Sequence, residues 1–394
     1  MSRGREAVGA GVALRIVVAA WVLGLLVVDV AVVSVRGGGD GGPGVVRPPV
    51  APADRALVDG LVAFVEGERG LAFRRAPELE VLDAEGFAAA LRDLPAEEAV
   101  DEPDLAVDGD SLRILEAFGL LDAGFDLADL TEPADRGILG FYDPVRERIS
   151  VLGPRLDPFT QSVVVHELTH ALDDQHFDLR RRHLDADDDA NDAFLALVEG
   201  NATRVEAAFV DSLDPQGRRE VEARSAELDV DPGLPRFFVR YASFPYAAGP
   251  GFVAAVLGDG GRARLDRAFA EPPETTEQIL HPRAYLEGEG REAVADPPAD
   301  GTVLARASFG ELGLFLVLEE STGTAEAARA ATGWGGDRYV AWRAGSAVCV
   351  RWDVAMDSRR DLRELAEAFA AVVADQPGAT VEVGTRLRYA RCVR

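Results

Sequence analysis

Residues 166–170, His-Glu-Leu-Thr-His, lie within the apolar segment Val163 to Leu172. Two histidines four residues apart on a helix project from the same face, close enough to bind one metal ion. Neutral imidazole is a good ligand for zinc, which takes such nitrogens in a tetrahedral arrangement. A glutamate directly after the first histidine can take a proton from water at the metal. The motif therefore predicts a hydrolytic zinc site, of the kind most often found in peptidases.

The residues around this motif are typical of a buried helix. Asp157 followed by Pro158 is a frequent helix start, with an N-cap and a proline in the first turn. The chain contains only five histidines, so a chance match of the pattern is improbable. The alternative interpretation is a pair of core histidines that bind no metal.

A zinc site needs a further protein ligand, and three parts of the sequence compete for this role. Glu199 lies on the apolar face of the next predicted helix, Asp192 to Leu213, where a carboxylate needs a partner. His176 occupies the third-ligand position of the metzincin pattern HExxHxxGxxH, but residue 173 is aspartate and no methionine turn follows closely. The acidic run 185–192 favours a loop that caps the next helix, with a calcium site as the alternative.

Three blocks of sequence resemble a little-characterised family of exported HExxH metallopeptidases of bacteria and archaea. They are HELTHALDDQHFDL at 166–179, ALVEGNAT at 196–203 and TTEQILHPRAY at 275–285. The resemblance extends over about residues 135–345. The family is gluzincin-like, which means that its third zinc ligand is a glutamate on the next helix. The resemblance implies that His166, His170 and Glu199 bind Zn²⁺ and that Glu167 is the catalytic base.

The sequence departs from the gluzincin pattern at one position. Many gluzincins carry an aspartate four residues after the ligand glutamate, where it orients a ligand histidine. This chain has Thr203 there. We therefore expect another residue, such as Asp173 or Asp174, to orient the histidine.

Hydrolysis of a peptide bond also needs a group that stabilises the developing oxyanion. His281, in the block TTEQILHP, is the best remaining histidine for this catalytic role. Tyr241 and Tyr246 are alternatives, because a phenol can donate a hydrogen bond. A packing role for His281 before Pro282 is the other interpretation.

The composition is that of a globular protein with a strongly acidic balance. The formal net charge is −27 and the isoelectric point is near 4.6. Nucleic acid is excluded as an expected partner, because no basic stripe is available to neutralise phosphates.

Residues 1–36 predict a membrane anchor. Arg3, Arg5 and Arg15 precede or enter an apolar run from Ile16 to Val35, which is long enough to cross a bilayer. Arginines on the N-terminal side place that end in the cytoplasm, and the glycine- and proline-rich linker 37–52 follows the run. We expect a single-pass protein whose catalytic part is extracytoplasmic. The alternative is a cleaved signal peptide and a secreted protein.

The remaining chain predicts an α+β fold with three parts. They are a helical N-terminal region (53–130), a zincin-like catalytic core (131–300) and a C-terminal α/β region (301–394). Within the core, Ile138 to Tyr142 and Arg148 to Leu152 predict a hairpin just before the HExxH helix. Its edge strand could pair with an extended peptide.

The only two cysteines, Cys349 and Cys392, lie in strand-like segments of the C-terminal region. Export would allow a disulfide between them, and two buried thiols are the alternative. We expect zinc-dependent hydrolysis of peptide bonds, with a peptide or protein as substrate. The competing expectation is a zinc-containing binding or scaffold module at the cell surface that catalyses nothing. The sequence does not predict the oligomeric state.

Overall fold

The computed structural model describes residues 54–94, 109–125, 138–180, 187–228 and 234–394 of the chain. Its fold is mixed α+β, as the sequence predicts. The N-terminal region is mainly helical in its described part, and it also contains one strand that the sequence analysis missed. These elements are α1 (Arg55–Arg69), β1 (Glu78–Leu82), α2 (Ala84–Arg92) and α3 (Gly109–Phe118).

β1 belongs to a three-stranded sheet with β2 (Gly140–Asp143) and β3 (Arg148–Leu152), in the order β1-β3-β2. β2 and β3 form the predicted antiparallel hairpin, and the Asp143 carboxylate accepts the backbone N–H groups of Val145 and Arg146 in its turn. β1 runs parallel to β3, which lies much later in the chain. Such a long-range pairing leaves no periodic signal around β1, and this is why the strand was missed.

The HExxH motif lies in the middle of α4 (Pro158–Phe177), which begins where the sequence predicts. Asp157 caps this helix by accepting the N–H of Thr160, and Pro158 stands in the first turn. α4 packs against the β2–β3 hairpin on one side and against α5 (Asp188–Ser212) on another. Fifteen of its twenty residues are buried, so polar side chains at its centre must find partners inside the protein.

α5 begins at the acidic run, which has the capping role that the sequence favours. Asp187 accepts the N–H of Ala190 as the N-cap, and it also pairs with Arg291. Asp189 accepts hydrogen bonds from the N–H and hydroxyl of Thr276. Asp187 and Asp189 thus bond to protein groups, while residues 185 and 186 of the run lie outside the described ranges.

The segment 237–254 contains two prolines, which disfavour the interior of a helix, and yet it is helical. It belongs to the long helix α7 (Arg236–Ala270), which follows α6 (Pro215–Leu228) and contains Pro245 and Pro250. The helix changes direction only at Gly260 and Gly261. Packing outweighs the cost of the prolines, because buried residues of α7 contact α5 along its length: Phe237, Phe238, Phe244, Phe252, Val253 and Val256.

The contact between α5 and α7 is closest at two glycines. A Cβ atom on Gly249 would lie 2.1 Å from the carbonyl oxygen of Ala196, and one on Gly200 would lie 2.3 Å from the carbonyl carbon of Gly249. Only glycine fits at either position. Gly200 directly follows Glu199, so this contact fixes the helix at the candidate ligand.

The C-terminal region forms a five-stranded antiparallel sheet in the order β4-β5-β6-β8-β7. Two short helices lead into it, α8 (Thr276–Leu280) and α9 (Pro282–Glu287), and the remaining elements are β4 (Thr302–Ala307), α10 (Gly310–Thr322), α11 (Thr324–Ala331), β5 (Trp334–Ala344), β6 (Ala347–Met356), α12 (Arg359–Asp375), β7 (Thr380–Val383) and β8 (Leu387–Val393).

One hydrophobic core joins this sheet to the helices that precede it. It includes Phe118 of α3, Leu197 of α5, Phe252 of α7 and Trp352 of β6. A second cluster lies between the three-stranded sheet, α1 and α4. The hydrophobic core therefore extends across residue 300, where the sequence analysis placed the boundary between the catalytic core and the C-terminal region.

Cys349 and Cys392 form a disulfide. They lie directly opposite each other in the antiparallel pairing of β6 and β8. In the described ranges, no helix is long and apolar enough to span a membrane. The anchor predicted at 16–35 and the linker at 37–52 lie outside these ranges.

Asp189 makes the stability of this fold depend on pH. Its side chain is 1 % exposed, and Oδ2 has no hydrogen-bond partner among the described residues. Burial raises its pKa from 3.8 to about 8. Between these values the folded protein holds a proton that the unfolded chain has lost, so stability falls as the pH rises, by about 1.4 kcal/mol per pH unit.

Asp189→Asn should remove this slope, because asparagine keeps an oxygen acceptor for Thr276 and does not titrate. Urea unfolding of the full chain at pH 5, 6 and 7 measures it. We expect the fall in unfolding free energy over this range to be shallower in the variant by about 1.4 kcal/mol per pH unit. Asp375→Asn, at an exposed position, is the control. Equal slopes in Asp189→Asn and the wild type would contradict the assignment.

Candidate metal centre

Three buried side chains from two helices converge on one point. His166 and His170 extend from the same face of α4, and Glu199 extends from α5. The Nε2 atoms of the two histidines are 2.9 Å apart, and Glu199 Oε2 lies 3.2 Å from His166 Nε2 and 3.3 Å from His170 Nε2. In the part of the chain that the structure describes, this is the one group of three such side chains whose ligand atoms lie within 4.8 Å of one another. We refer to it as the triad.

The triad fits zinc. Ligands at 2.0–2.1 Å from a tetrahedral zinc ion are roughly 3.3 Å from each other, close to the spacing of these three atoms. All three side chains are at most 1 % exposed. Glu199 Oε1 and His170 Nδ1 have no hydrogen-bond partner among the described residues. A cation at this point would give the buried nitrogens and carboxylate the partner that burial demands.

The two histidines of the triad act on the ionisation of Glu199. Burial would raise the pKa of this carboxyl, but His170 and His166 oppose that effect and hold it below its usual value. The carboxylate is therefore ionised and available as a ligand. Two imidazoles and one carboxylate, with a fourth position left open, form a ligand set that is typical of catalytic zinc.

A residue that the sequence analysis missed orients His166. Glu206 lies seven residues after Glu199 on α5, and its Oε2 is 3.2 Å from His166 Nδ1. With a proton on Nδ1, His166 donates to Glu206 and directs its Nε2 lone pair toward the centre of the triad. Residues seven apart share a helix face, so a search two turns beyond Glu199 would have found this carboxylate.

Asp173 and Asp174, which were expected to orient the histidine, bond to other residues, and Thr203 does not take their place. Thr203 Oγ1 is buried and has no hydrogen-bond partner among the described residues. Asp173 accepts hydrogen bonds from Arg69 and Asn201, both at 2.6 Å. Asp174 accepts a hydrogen bond from the Tyr142 hydroxyl. Thr203 is one turn before Glu206, so the carboxylate has moved one turn along α5 relative to the gluzincin pattern.

Asp173 instead braces the two helices that carry the triad. Its bond to Asn201 joins α4 to α5 within three residues of His170 and two of Glu199. The guanidinium of Arg69, which is 1 % exposed, connects Asp173 to Asp266 on α7. α1 therefore contributes to the triad's geometry from outside the predicted catalytic core.

Glu167 lies beside the triad with no structural partner. It is fully buried, and neither carboxylate oxygen accepts a hydrogen bond from the described residues. Burial raises its pKa well above the usual value, the negative charges of Glu199 and Glu206 add to this effect, and His166 opposes it. A raised pKa is what a carboxyl needs in order to act as a general acid–base group near neutral pH.

The hairpin strand β2 lies directly against Glu167. A Cβ on Gly140 would lie 2.8 Å from Val163 Cγ1 and 3.0 Å from Glu167 Oε1. Glycine at this position allows the strand to approach the helix at the HExxH motif. β2 is the end strand of the sheet as described.

The other candidate residues lie elsewhere. His176 Nε2 is 2.9 Å from the carbonyl oxygen of Ala72, so it does not join the triad and the metzincin alternative is wrong. The Tyr241 hydroxyl donates to Asp192. His281 Nε2 lies 2.9 Å from Glu311 Oε1.

His281 was expected to stabilise an oxyanion at the zinc site, and its surroundings do not support that role. Thr276, in the same short segment, bonds to Asp189. Asp189 is ten residues before Glu199 on α5, which is about 15 Å along the helix axis. His281 thus belongs to a cluster near the other end of α5, which no local sequence pattern reveals.

Comparisons with known proteins give one match. Residues 301–391 match a family described as a domain of unknown function, DUF8575. No curated protein and no solved structure matches the chain. The matched segment contains α10 to α12 and all but the last two residues of the five-stranded sheet, and it includes none of the triad residues.

The hydrogen bond from His166 to Glu206 predicts a measurable contribution to zinc affinity. Loss of a carboxylate that orients a ligand histidine typically weakens binding by roughly 10–100-fold. Glu206→Ala should therefore raise the zinc Kd by about this factor in a chelator competition. Thr203→Ala removes a hydroxyl without a partner and should leave the Kd within about twofold. Equal effects of the two changes would contradict the role of Glu206.

Proposed function

We propose that the protein is a zinc-dependent peptidase of the gluzincin type, built on a zincin-like core. The observation that carries this proposal is the buried convergence of His166, His170 and Glu199, with the unpaired carboxyl of Glu167 beside it. A purely structural metal site would need the three ligands but not Glu167. Burying a carboxyl without any hydrogen bond is costly, so its presence here favours a catalytic role.

In this mechanism, His166, His170 and Glu199 would hold the ion. Zinc in such a site lowers the pKa of water and polarises a carbonyl group. Glu167 would accept a proton at a carboxylate oxygen from the water that attacks the scissile carbonyl carbon. It would then return this proton to the leaving nitrogen as the carbon–nitrogen bond breaks. Glu206 would keep His166 in the tautomer that binds metal through Nε2.

A peptide is the substrate class that the surroundings support best. β2 is an end strand next to Glu167, and an extended peptide can pair with such a strand through its backbone. Gly140 allows this strand to approach Glu167 closely. The backbone of a peptide paired there would run along the face of α4 that carries the motif.

The burial of the site favours one alternative function, a zinc-containing binding or scaffold module. The triad and Glu167 are at most 1 % exposed, as in a structural zinc site of a binding or scaffold module. Turnover would require a movement that admits the substrate, as many enzymes undergo. The two functions differ in their dependence on Glu167.

We also propose that the catalytic part lies outside the cytoplasm, tethered by residues 16–35. The disulfide between Cys349 and Cys392 supports this location, because disulfides persist mainly in oxidising compartments.

Glu167→Gln tests the proposed function. Glutamine keeps the size of the side chain but cannot accept the proton, so turnover of a protein substrate such as casein should fall by roughly 10²–10⁴-fold. Zinc content should stay at the wild-type level, because residue 167 is not a ligand. Glu222→Gln, at an exposed position of α6, controls for the preparation.

Three results separate the possibilities. Chelator-sensitive activity that is present in the wild type and the control, but lost in Glu167→Gln, supports the peptidase. Zinc-loaded wild type with no activity on any protein or peptide tested supports the scaffold module. Full activity of Glu167→Gln would show that another base, or a contaminant, performs the hydrolysis.

A further inference from the structure

The helix α3 belongs to the N-terminal region in sequence, but it packs against β6 and β8 of the C-terminal sheet. Tyr339, Trp352 and Tyr389 lie side by side on this face of the sheet, across β5, β6 and β8. Phe118, the last residue of α3, is 1 % exposed. Its ring lies 5.0–6.3 Å from the centroids of these three rings and of Phe309. The helix therefore supplies the aromatic side chain at the centre of this face.

This aromatic face is not complete within the segment that matches the known family. The matched residues 301–391 contain Tyr339, Trp352 and Tyr389, but they do not contain α3. Without a helix in this position, these three rings, now at most 2 % exposed, would lose the side chain that covers them. An exposed apolar patch on a folded domain typically marks an interaction site. The matched segment is thus completed by a helix from outside its own sequence.

Side chains of the C-terminal region also bind the backbone at the end of α3. Gly119, with a φ of +78°, ends the helix in a Schellman motif, which two backbone hydrogen bonds close. This motif leaves the last two carbonyls, those of Ala117 and Phe118, without partners in the helix. The Tyr389 hydroxyl donates to the first carbonyl at 2.7 Å, and Gln376 Nε2 donates to the second at 3.3 Å. The C-terminal region therefore caps the helix.

Two arginines of the C-terminal region hold α3 near its two ends. Arg391 Nη1 donates to the carbonyl oxygen of Glu116 at 2.6 Å, in the last turn. Arg343 pairs with Asp110 in the first turn, where an acidic residue is favourable. The two contacts fix the direction of the helix on the sheet as well as its position.

Gly119 makes the contact specific for a glycine at the end of the helix. A Cβ atom there would lie 1.5 Å from Nε2 of Gln376, which is 6 % exposed and accepts from the Tyr389 hydroxyl through Oε1. Gly124 has the same φ of +78°, but a Cβ atom there would meet nothing within 4 Å. A side chain at either position has the same backbone cost, and only one at 119 would displace Gln376 from Phe118.

We propose that the C-terminal region, residues 301–394, is a helix-binding module whose ligand is an amphipathic helix that ends in Phe-Gly. In this chain the site is occupied by α3, which acts as a ligand within the same polypeptide. The same helix would bind as a separate peptide when the docking of the chain's own α3 is weakened. The proposal gives the matched family domain a binding role, and it does not depend on the proposed peptidase function.

The test uses a fluorescently labelled peptide of residues 109–125 and the full chain with Phe118→Ala. The substitution takes the ring out of the aromatic face and weakens the docking of the chain's own α3. We expect the wild-type peptide to bind this variant in an anisotropy titration and to bind the wild-type chain at least about 100-fold more weakly. The reason is competition, because a helix tethered to its site acts at an effective concentration on the order of 1 mM.

Two matched peptides test the role of the helix end. The Gly119→Ala peptide should bind the Phe118→Ala chain at least about tenfold more weakly than the Gly124→Ala peptide, because only the first loses the hydrogen bond from Gln376. Thermal unfolding gives a second readout, since the wild-type peptide should raise the Tm of the Phe118→Ala chain more than the Gly119→Ala peptide does. No binding of the wild-type peptide to the Phe118→Ala chain, or equal binding of the two alanine peptides, would overturn the proposal and make α3 a permanent part of the hydrophobic core.

Discussion

The contact of Glu199 with His166 and His170 is the interaction on which the other features of the centre depend. It brings a carboxylate and two imidazoles together at 2.9–3.3 Å between two buried helices. Such groups are stable inside a protein only if each has a charged or hydrogen-bonding partner. Neighbouring residues hold these three side chains in place. Glu206 orients one histidine, and the Gly200–Gly249 contact brings α7 against α5 beside the ligand.

The need of buried charged groups for partners also explains why distant parts of the chain contribute to the site. Arg69 lies about a hundred residues before Asp173, yet it is buried against it and against Asp266. Asp173 in turn bonds to Asn201. This network connects α4 and α5 through Asp173 and links both to α1 and α7. The N-terminal helical region is therefore part of the framework of the centre, a role that no pattern in its own sequence predicts.

Local signals made the centre of the molecule predictable. The start of α4 follows from Asp157 and Pro158, and its burial follows from the apolar residues around the motif. The third member of the triad follows from one carboxylate on the apolar face of α5. The β2–β3 hairpin was predicted because its two strands are adjacent in sequence. In each case the decisive residues lie within one or two helical turns, or one hairpin, of each other.

Features that depend on contacts between distant segments were not predictable in the same way. β1 is a strand because it pairs with β3, and α7 continues through Pro245 and Pro250 because its aromatic residues pack against α5. His281 was assigned to the zinc site by residue type alone, but the fold places it with Glu311. Glu206 was missed because the expected carboxylate was sought four residues after Glu199 instead of seven.

Elemental analysis of the purified full chain, after dialysis against metal-free buffer, tests the central claim most directly. We expect about one zinc per chain in the wild type and in His176→Ala, because the imidazole of His176 contacts a backbone carbonyl. We also expect a loss of zinc in Glu199→Ala, measured on a sample that remains folded by circular dichroism. A folded wild type without zinc, or zinc lost from His176→Ala and retained in Glu199→Ala, would contradict the central claim.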